Sequence, residues 1–156
     1  MLFMGNIKVR AAVLADLPIL KSFEQEIIAT ERPFNNCLKA ESFCYYDIAE
    51  LIKSDTSTVM VAVDGEKLVG SGYARIRESK AHLTHDQHIY LGFMYVAPSH
   101  RGRGINQLVI EQLIEWGKQQ GLTDFYLEAY AQNQPATHAY KKLGFSPSLV
   151  ELKLSI

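Results

Sequence analysis

The chain has 156 residues, 47% of them hydrophobic and 21% charged, with a formal net charge of −1. That length and apolar content suit one domain around one core and exclude a disordered chain. The near-neutral balance supplies no broad cationic field for a nucleic-acid backbone, and no uncharged apolar run approaches the roughly 20 residues that span a bilayer. With no basic segment leading into a long apolar core at the start of the sequence, the expectation is a single cytoplasmic domain over residues 1–156, with neither nucleic acid nor membrane as partner.

Ile7 to Val13 alternates enough for a strand. Asp16 followed by Leu17 and Pro18 predicts a helix start, since Asp caps and Pro is tolerated in the first turn. The helix runs to about Arg32, where Pro33 stops it and Phe34, Asn35 and Asn36 form a loop. Cys37 and Cys44 lack CxxC spacing and read as partly buried free thiols. A short helix follows from about Tyr46 to Lys53, with Ile48, Leu51 and Ile52 on one face. Thr58 to Val63 is a β-branched strand, Asp64-Gly65 a hairpin turn, and Lys67 to Arg77 a third strand, which together predict an antiparallel meander. His82, His85 and His88 then fall in a loop and strand where a spacing of three alternates faces, so an exposed loop is preferred to a zinc site and no metal is expected.

The next strand ends at Val96, and Pro98 cannot continue a ladder. Gly102 and Gly104 then lead into a helix whose Ile105, Leu108, Val109, Leu113 and Trp116 share a face. A helix start leaves its first N–H groups without intrahelical acceptors and carries partial positive charge, so this turn can hold a phosphate. Arg101 and Arg103 add two permanent charges, and the glycines let the main chain approach a bulky diphosphate. Gly121 and Leu122 end the helix, Thr123 to Tyr130 is a strand, and Asn133 opens a helix bearing Tyr140. Strand, helix and strand in succession imply parallel pairing in this half.

Residues 90–107 and 128–145 resemble the GNAT superfamily of acyl-CoA-dependent N-acetyltransferases. The family signature R/Q-x-x-G-x-G/A falls on Arg101, Gly104 and Asn106, and its N-x-x-A-x-x-x-Y-x-K-x-G-F helix on Asn133, Ala136, Tyr140, Lys142, Gly144 and Phe145. Asn106 departs from the signature, where Gly or Ala lets the loop close; its amide can crowd the diphosphate or donate to it. The resemblance implies an α/β (α+β) fold: a central, mixed, twisted sheet, antiparallel in its N-terminal half, ending in a splayed parallel strand pair and flanked by about four helices. It also implies acetyl-CoA as cosubstrate, with its diphosphate on the main chain of Arg101, Gly102, Arg103, Gly104, Ile105, Asn106 and Gln107. The pantetheine arm would lie in the splay beside Met94, Tyr95 and Val96, where unpaired main-chain groups suit its amides. One N–H near Met94 or Tyr95 would face the thioester oxygen, a kind of donor whose loss costs about 2.7–4 kcal/mol.

Transfer of an acetyl group to an amine needs a neutral nucleophile, an oriented carbonyl and a proton for the departing thiolate. Tyr140 is the candidate acid, a role that contributes about 10²–10⁴ in rate. Asn133 suits an N-cap, and in the family its equivalent touches the cofactor arm. Glu128 matches a catalytic glutamate of enzymes that acetylate protein N-termini; inside an apolar strand it would need a task or an arginine, with Arg75 and Arg77 available. By the same analogy the acceptor, a small-molecule or peptide amine, meets Glu24, Glu26, Glu31, Arg32, Asn35, Tyr45, Tyr46, Asp47 and residues 79–88, and a homodimer is possible. The other readings are a catalytically silent acyl-CoA sensor and a nucleotide-binding domain. Gln107 at the third glycine position of a dinucleotide fingerprint, and the absence of a Gly-Lys-Ser/Thr run, disfavour the latter.

Overall fold

The structure, a computed structural model, describes residues 3–156. Met1 and Leu2 of the expected single domain lie outside the described residues.

Six strands form one sheet in sequence order: β1 (Phe3–Met4), β2 (Ile7–Ala11), β3 (Ser57–Asp64), β4 (Lys67–Glu78), β5 (Gln87–Val96) and β6 (Phe125–Leu127). The first five pair antiparallel, and β6 pairs parallel to β5. The helices are α1 (Leu17–Glu31), α2 (Ile48–Lys53), α3 (Ile105–Gln119) and α4 (Gln134–Lys142). The sheet is therefore mixed as expected, because α3 returns the chain to the sheet parallel to β5 while every earlier connection is a hairpin or an excursion. Among the described residues no helix is long and apolar enough to cross a membrane.

The core lies between sheet and helices. Ile105, Leu108, Val109, Ile110 and Leu113 bury the inner stripe of α3, and Leu20, Phe23 and Ile28 that of α1. The end of α3 follows the sequence reading: Gly121 takes φ 79°, its N–H bonds to Lys118 O, and the Leu122 N–H bonds to Gly117 O. This paired closure satisfies carbonyls the helix would leave open.

Two boundaries differ from expectation. The second strand stops at Ala11, because Asp16 does not cap α1. Its carboxylate accepts both Arg10 nitrogens, at 2.8 and 3.0 Å, and the Val13 N–H at 2.9 Å, closing a 3₁₀ turn over Leu14–Asp16. The last strand is only Phe125–Leu127, so Glu128 is exposed just beyond it rather than buried inside a strand. Cys37 and Cys44 are free and exposed in the polar stretch between α1 and α2, not partly buried.

A bulge in β5 is the local irregularity that shapes the sheet. Between Ser71 and Tyr73 the β4–β5 register shifts, and Phe93 takes φ 57°. A left-handed Phe costs on the order of 1–3 kcal/mol, offset here by burial of its ring and by Ser71 Oγ donating to its carbonyl at 3.0 Å. One extra residue flips the alternation. Before the bulge Ile89 lies against Gly117 of α3; after it Met94 lies beside Val109 of α3, while Tyr95 stacks on Phe23 of α1.

Candidate active site

The double-glycine turn follows the C-terminal end of β5, and α4 follows the C-terminal end of β6. Because β5 and β6 run parallel, both arrive at one end of the sheet. Their pairing is confined to Ile89–Leu91 against Phe125–Leu127, so among the described residues Gly92–Val96 continues with no strand partner on the β6 side. This is the expected splay, and it leaves main-chain groups of Met94, Tyr95 and Val96 on an open edge. The Val96 carbonyl is also an acceptor for Arg101 Nε at 3.1 Å, which ties the turn to the strand.

In the turn itself Gly102 and Gly104 both adopt left-handed conformations, φ 75° and 76°. A Cβ at Gly102 would meet nothing within 4 Å, so this glycine serves backbone conformation and leaves open space above the turn. Gly104 is the N-cap of α3, and Ile105, Asn106 and Gln107 present the first unbonded N–H groups of the helix. Their side chains have separate work. Ile105 is buried in the core, and Gln107 Nε2 donates to Glu111 at 2.9 Å. Arg101 and Arg103 are exposed, and Asn106 is half-buried beside them. These residues fit a diphosphate: main-chain donors, two exposed cations and a turn kept free of side-chain bulk.

On α4, Asn133 is the N-cap, its Oδ1 accepting from Ala136 N at 3.4 Å. Tyr140 packs edge-on against Phe145, with ring centroids 6.0 Å apart. Burial, and then the charge of Glu31, push its phenol up to about 12. It is therefore a proton donor throughout the neutral range.

Around Glu31 the structure gathers phenols that the sequence reading named only in part. Tyr45, Tyr46, Tyr73 and Tyr90 form a chain of neighbouring rings 5.5–6.2 Å apart, with Arg77 lying 3.6 Å over the Tyr90 ring. Tyr130 stacks on Phe34 and accepts from Asn35 Nδ2 at 2.8 Å. Burial raises Tyr45 to about 12 and Tyr46 and Tyr90 further. The hydroxyl of Tyr45 is buried without a well-directed partner, although the Tyr130 hydroxyl lies close enough to influence it. Glu31, at the end of α1, acts electrostatically on Tyr45, Tyr46, Tyr90 and Tyr140, and its own carboxyl is raised by burial. Glu128 acts on Tyr73 and Tyr90. Tyr90 thus lies within electrostatic reach of both carboxylates, and Tyr140 within reach of Glu31. Strand alternation was the available signal for Tyr73 and Tyr90; their convergence with α1 was not readable.

Several residues placed on the acceptor side are structural instead. Glu24 is buried and accepts the N–H groups of Tyr45 and Tyr46, both at 2.8 Å. Glu26 accepts from the Tyr95 hydroxyl, and Asp47 caps α2. Arg75 pairs with Glu50 at 2.8 Å, and among the described residues neither it nor Arg77 forms an ion pair with Glu128. Arg32 donates to Lys39 O. His100 bonds Asp64 and Ser99, anchoring the turn after β5 to the β3–β4 hairpin. His85 and His88 converge through their Nδ1 atoms on Ser79 Oγ, and His85 Nε2 meets the Tyr126 hydroxyl. Among the described residues no group of three metal-ligating side chains assembles.

Residues 22–145 match the acetyltransferase (GNAT) family. The chain belongs to that family. It is 32% identical over 101 residues, 64% of its length and 50% of the relative's, to streptothricin acetyltransferase of Streptomyces lavendulae. It thus spans about half of that curated relative. A mutant of the Bacillus halodurans BH1408 protein shares the fold with a TM-score of 0.85 at 21% identity, over 96% of this chain and 99% of that one. A Clostridium acetobutylicum predicted acetyltransferase, solved with acetyl-CoA, has a TM-score of 0.71 at 19% identity, over 96% of each chain.

Proposed function

We propose that the protein is an N-acetyltransferase that moves an acetyl group from acetyl-CoA to a primary amine by direct attack in a ternary complex. The observation that carries this reading is the coincidence, at one end of the sheet, of the double-glycine turn, the unpaired edge of Gly92–Val96 and the Tyr140 hydroxyl's helix. A relative named for streptothricin, and a structural neighbour solved with acetyl-CoA, support the two substrate classes.

Acetyl-CoA supplies the thioester. The N–H groups of residues 101–107 hold the diphosphate, Asn133 borders the arm, and the edge of Met94, Tyr95 and Val96 orients the arm and polarises the carbonyl. Arriving beside these tyrosines, an amine meets Glu31 and Glu128, carboxylates suited to attract the ammonium form and take its proton. As the C–N bond forms and the C–S bond breaks, Tyr140 gives its proton to the sulfur. Its raised pKa keeps that proton available until needed.

Incubation with acetyl-CoA and a panel of amines, small molecules and peptides alike, tests the proposal by release of free thiol. Thiol release dependent on an amine supports transfer. CoA binding with no release under any amine favours the second reading, a silent acyl-CoA sensor, for which Asn106 at the family's Gly or Ala position is the specific observation.

A further inference from the structure

Tyr73, Arg75 and Arg77 share one face of β4, because alternate residues of a strand point the same way. Arg75 is neutralised by Glu50, whereas Arg77 is exposed and, among the described residues, has no carboxylate partner. Arg77 Cζ lies 3.6 Å over the Tyr90 ring. Only the flat face of a guanidinium fits at that separation, so the ring fixes its plane and turns its N–H edge outward. The Tyr73 hydroxyl meets part of that edge and leaves the other donors unspent.

A second donor lies beside it. In the β4–β5 register Arg77 stands opposite His88. The Tyr126 hydroxyl contacts His85 Nε2 at 2.9 Å, and Ser79 Oγ contacts His85 Nδ1 at 2.6 Å and His88 Nδ1 at 2.9 Å. Protons can run along this chain in either of two directions. An anion beside Arg77 selects the one in which Tyr126 donates to His85, His85 to Ser79 and Ser79 to His88 Nδ1. The His88 proton then sits on Nε2, which no described residue engages. Burial, then His85 and Arg77, lower the His88 pKa, so the ring stays a neutral donor.

We propose that Arg77 and His88 form a carboxylate subsite, so that the acceptor is a zwitterion, a primary amine whose own chain also carries a carboxylate. The inference rests on the transferase reading and names its substrate class. Glu128 and Arg77 act in opposite senses on both Tyr73 and Tyr90, so the two charges border the same pair of phenols without pairing to each other. A plain alkylamine would set a second positive charge near an unneutralised guanidinium. A zwitterion satisfies both ends: its ammonium faces Glu31 and Glu128, and its two carboxylate oxygens take the guanidinium edge side by side.

Calorimetry on the protein saturated with CoA, a complex that cannot react, tests the subsite apart from the chemistry. ω-Amino carboxylates of graded chain length are titrated beside their own carboxamides. At the best length the carboxylate should bind roughly 10- to 100-fold tighter than its carboxamide. Arg77→Gln should bring that ratio near unity while keeping the thermal shift with CoA, and Arg77→Lys should retain only part of it, because an ammonium lacks the fork. Equal binding of carboxylate and carboxamide at every length, or a preference that survives Arg77→Gln, would overturn the subsite whether or not thiol is released from acetyl-CoA. A carboxylate preference with no thiol release would support the subsite and count against transfer. Should Arg77→Gln not fold, Arg77→Lys and the ligand pairs on the unaltered protein decide.

Discussion

At the scale of single residues, the candidate site contains groups whose protonation is set by burial. Tyr140 is held as the neutral phenol by desolvation and by Glu31. Tyr140→Phe should therefore lower kcat by about 10²–10⁴ while leaving CoA affinity nearly intact. Steady-state kinetics with chemistry limiting checks this, and an unchanged kcat removes Tyr140 from the acid role. Glu31 is legible as an acid near the end of a helix, but its place among four phenols is not, since Tyr45 and Tyr46, Tyr90, and Tyr140 come from three separate segments. Glu31→Gln keeps the shape and removes the charge. For a cationic acceptor it should raise KM by roughly 10- to 100-fold, the value of a charge-assisted contact, with CoA affinity unchanged by calorimetry.

Elements place those residues, and two of their junctions are testable. Gly104 caps α3 at φ 76°, a conformation that strains any β-branched residue. Gly104→Val should weaken CoA binding by blocking the turn, and should also lower stability by about 1–2 kcal/mol. Unaltered CoA affinity in that variant would count against the phosphate site. Asp16 joins β2 to the entry of α1 through Arg10 and Val13, and those contacts hold its carboxyl below the usual value of 3.8. Its stabilisation is present above that value and is lost as pH falls through the lower, folded one. Asp16→Ala should cost about 1–2 kcal/mol in urea denaturation at pH 7, since Arg10 is one-third exposed and partly screened. The difference from the unaltered protein should shrink below pH 3.8.

The whole molecule brings the double-glycine turn and the helix bearing Tyr140 to one end of a mixed sheet. Ligand that binds only the folded chain raises its melting temperature, so CoA should shift Tm upward where ATP and NAD at equal concentration do not. Equal shifts with all three would return the nucleotide-binding reading. Much of this architecture was readable along the chain, because periodicity, Gly102, Gly104, Gly121 and the Asn133 cap are local signals: hydrogen bonds within a few residues decide them. The entry of α1 was misread for a reason that is not local, since Arg10 outcompetes the helix for Asp16. The short β6, and with it the exposure of Glu128, likewise depended on where the neighbouring strand diverges. Sequence alone therefore determined the order of elements, the double-glycine turn before α3 and the helix bearing Tyr140. Only the tertiary structure decided the bulge at Phe93 and the gathering of tyrosines around Glu31, because each arises from contacts between residues distant in the chain.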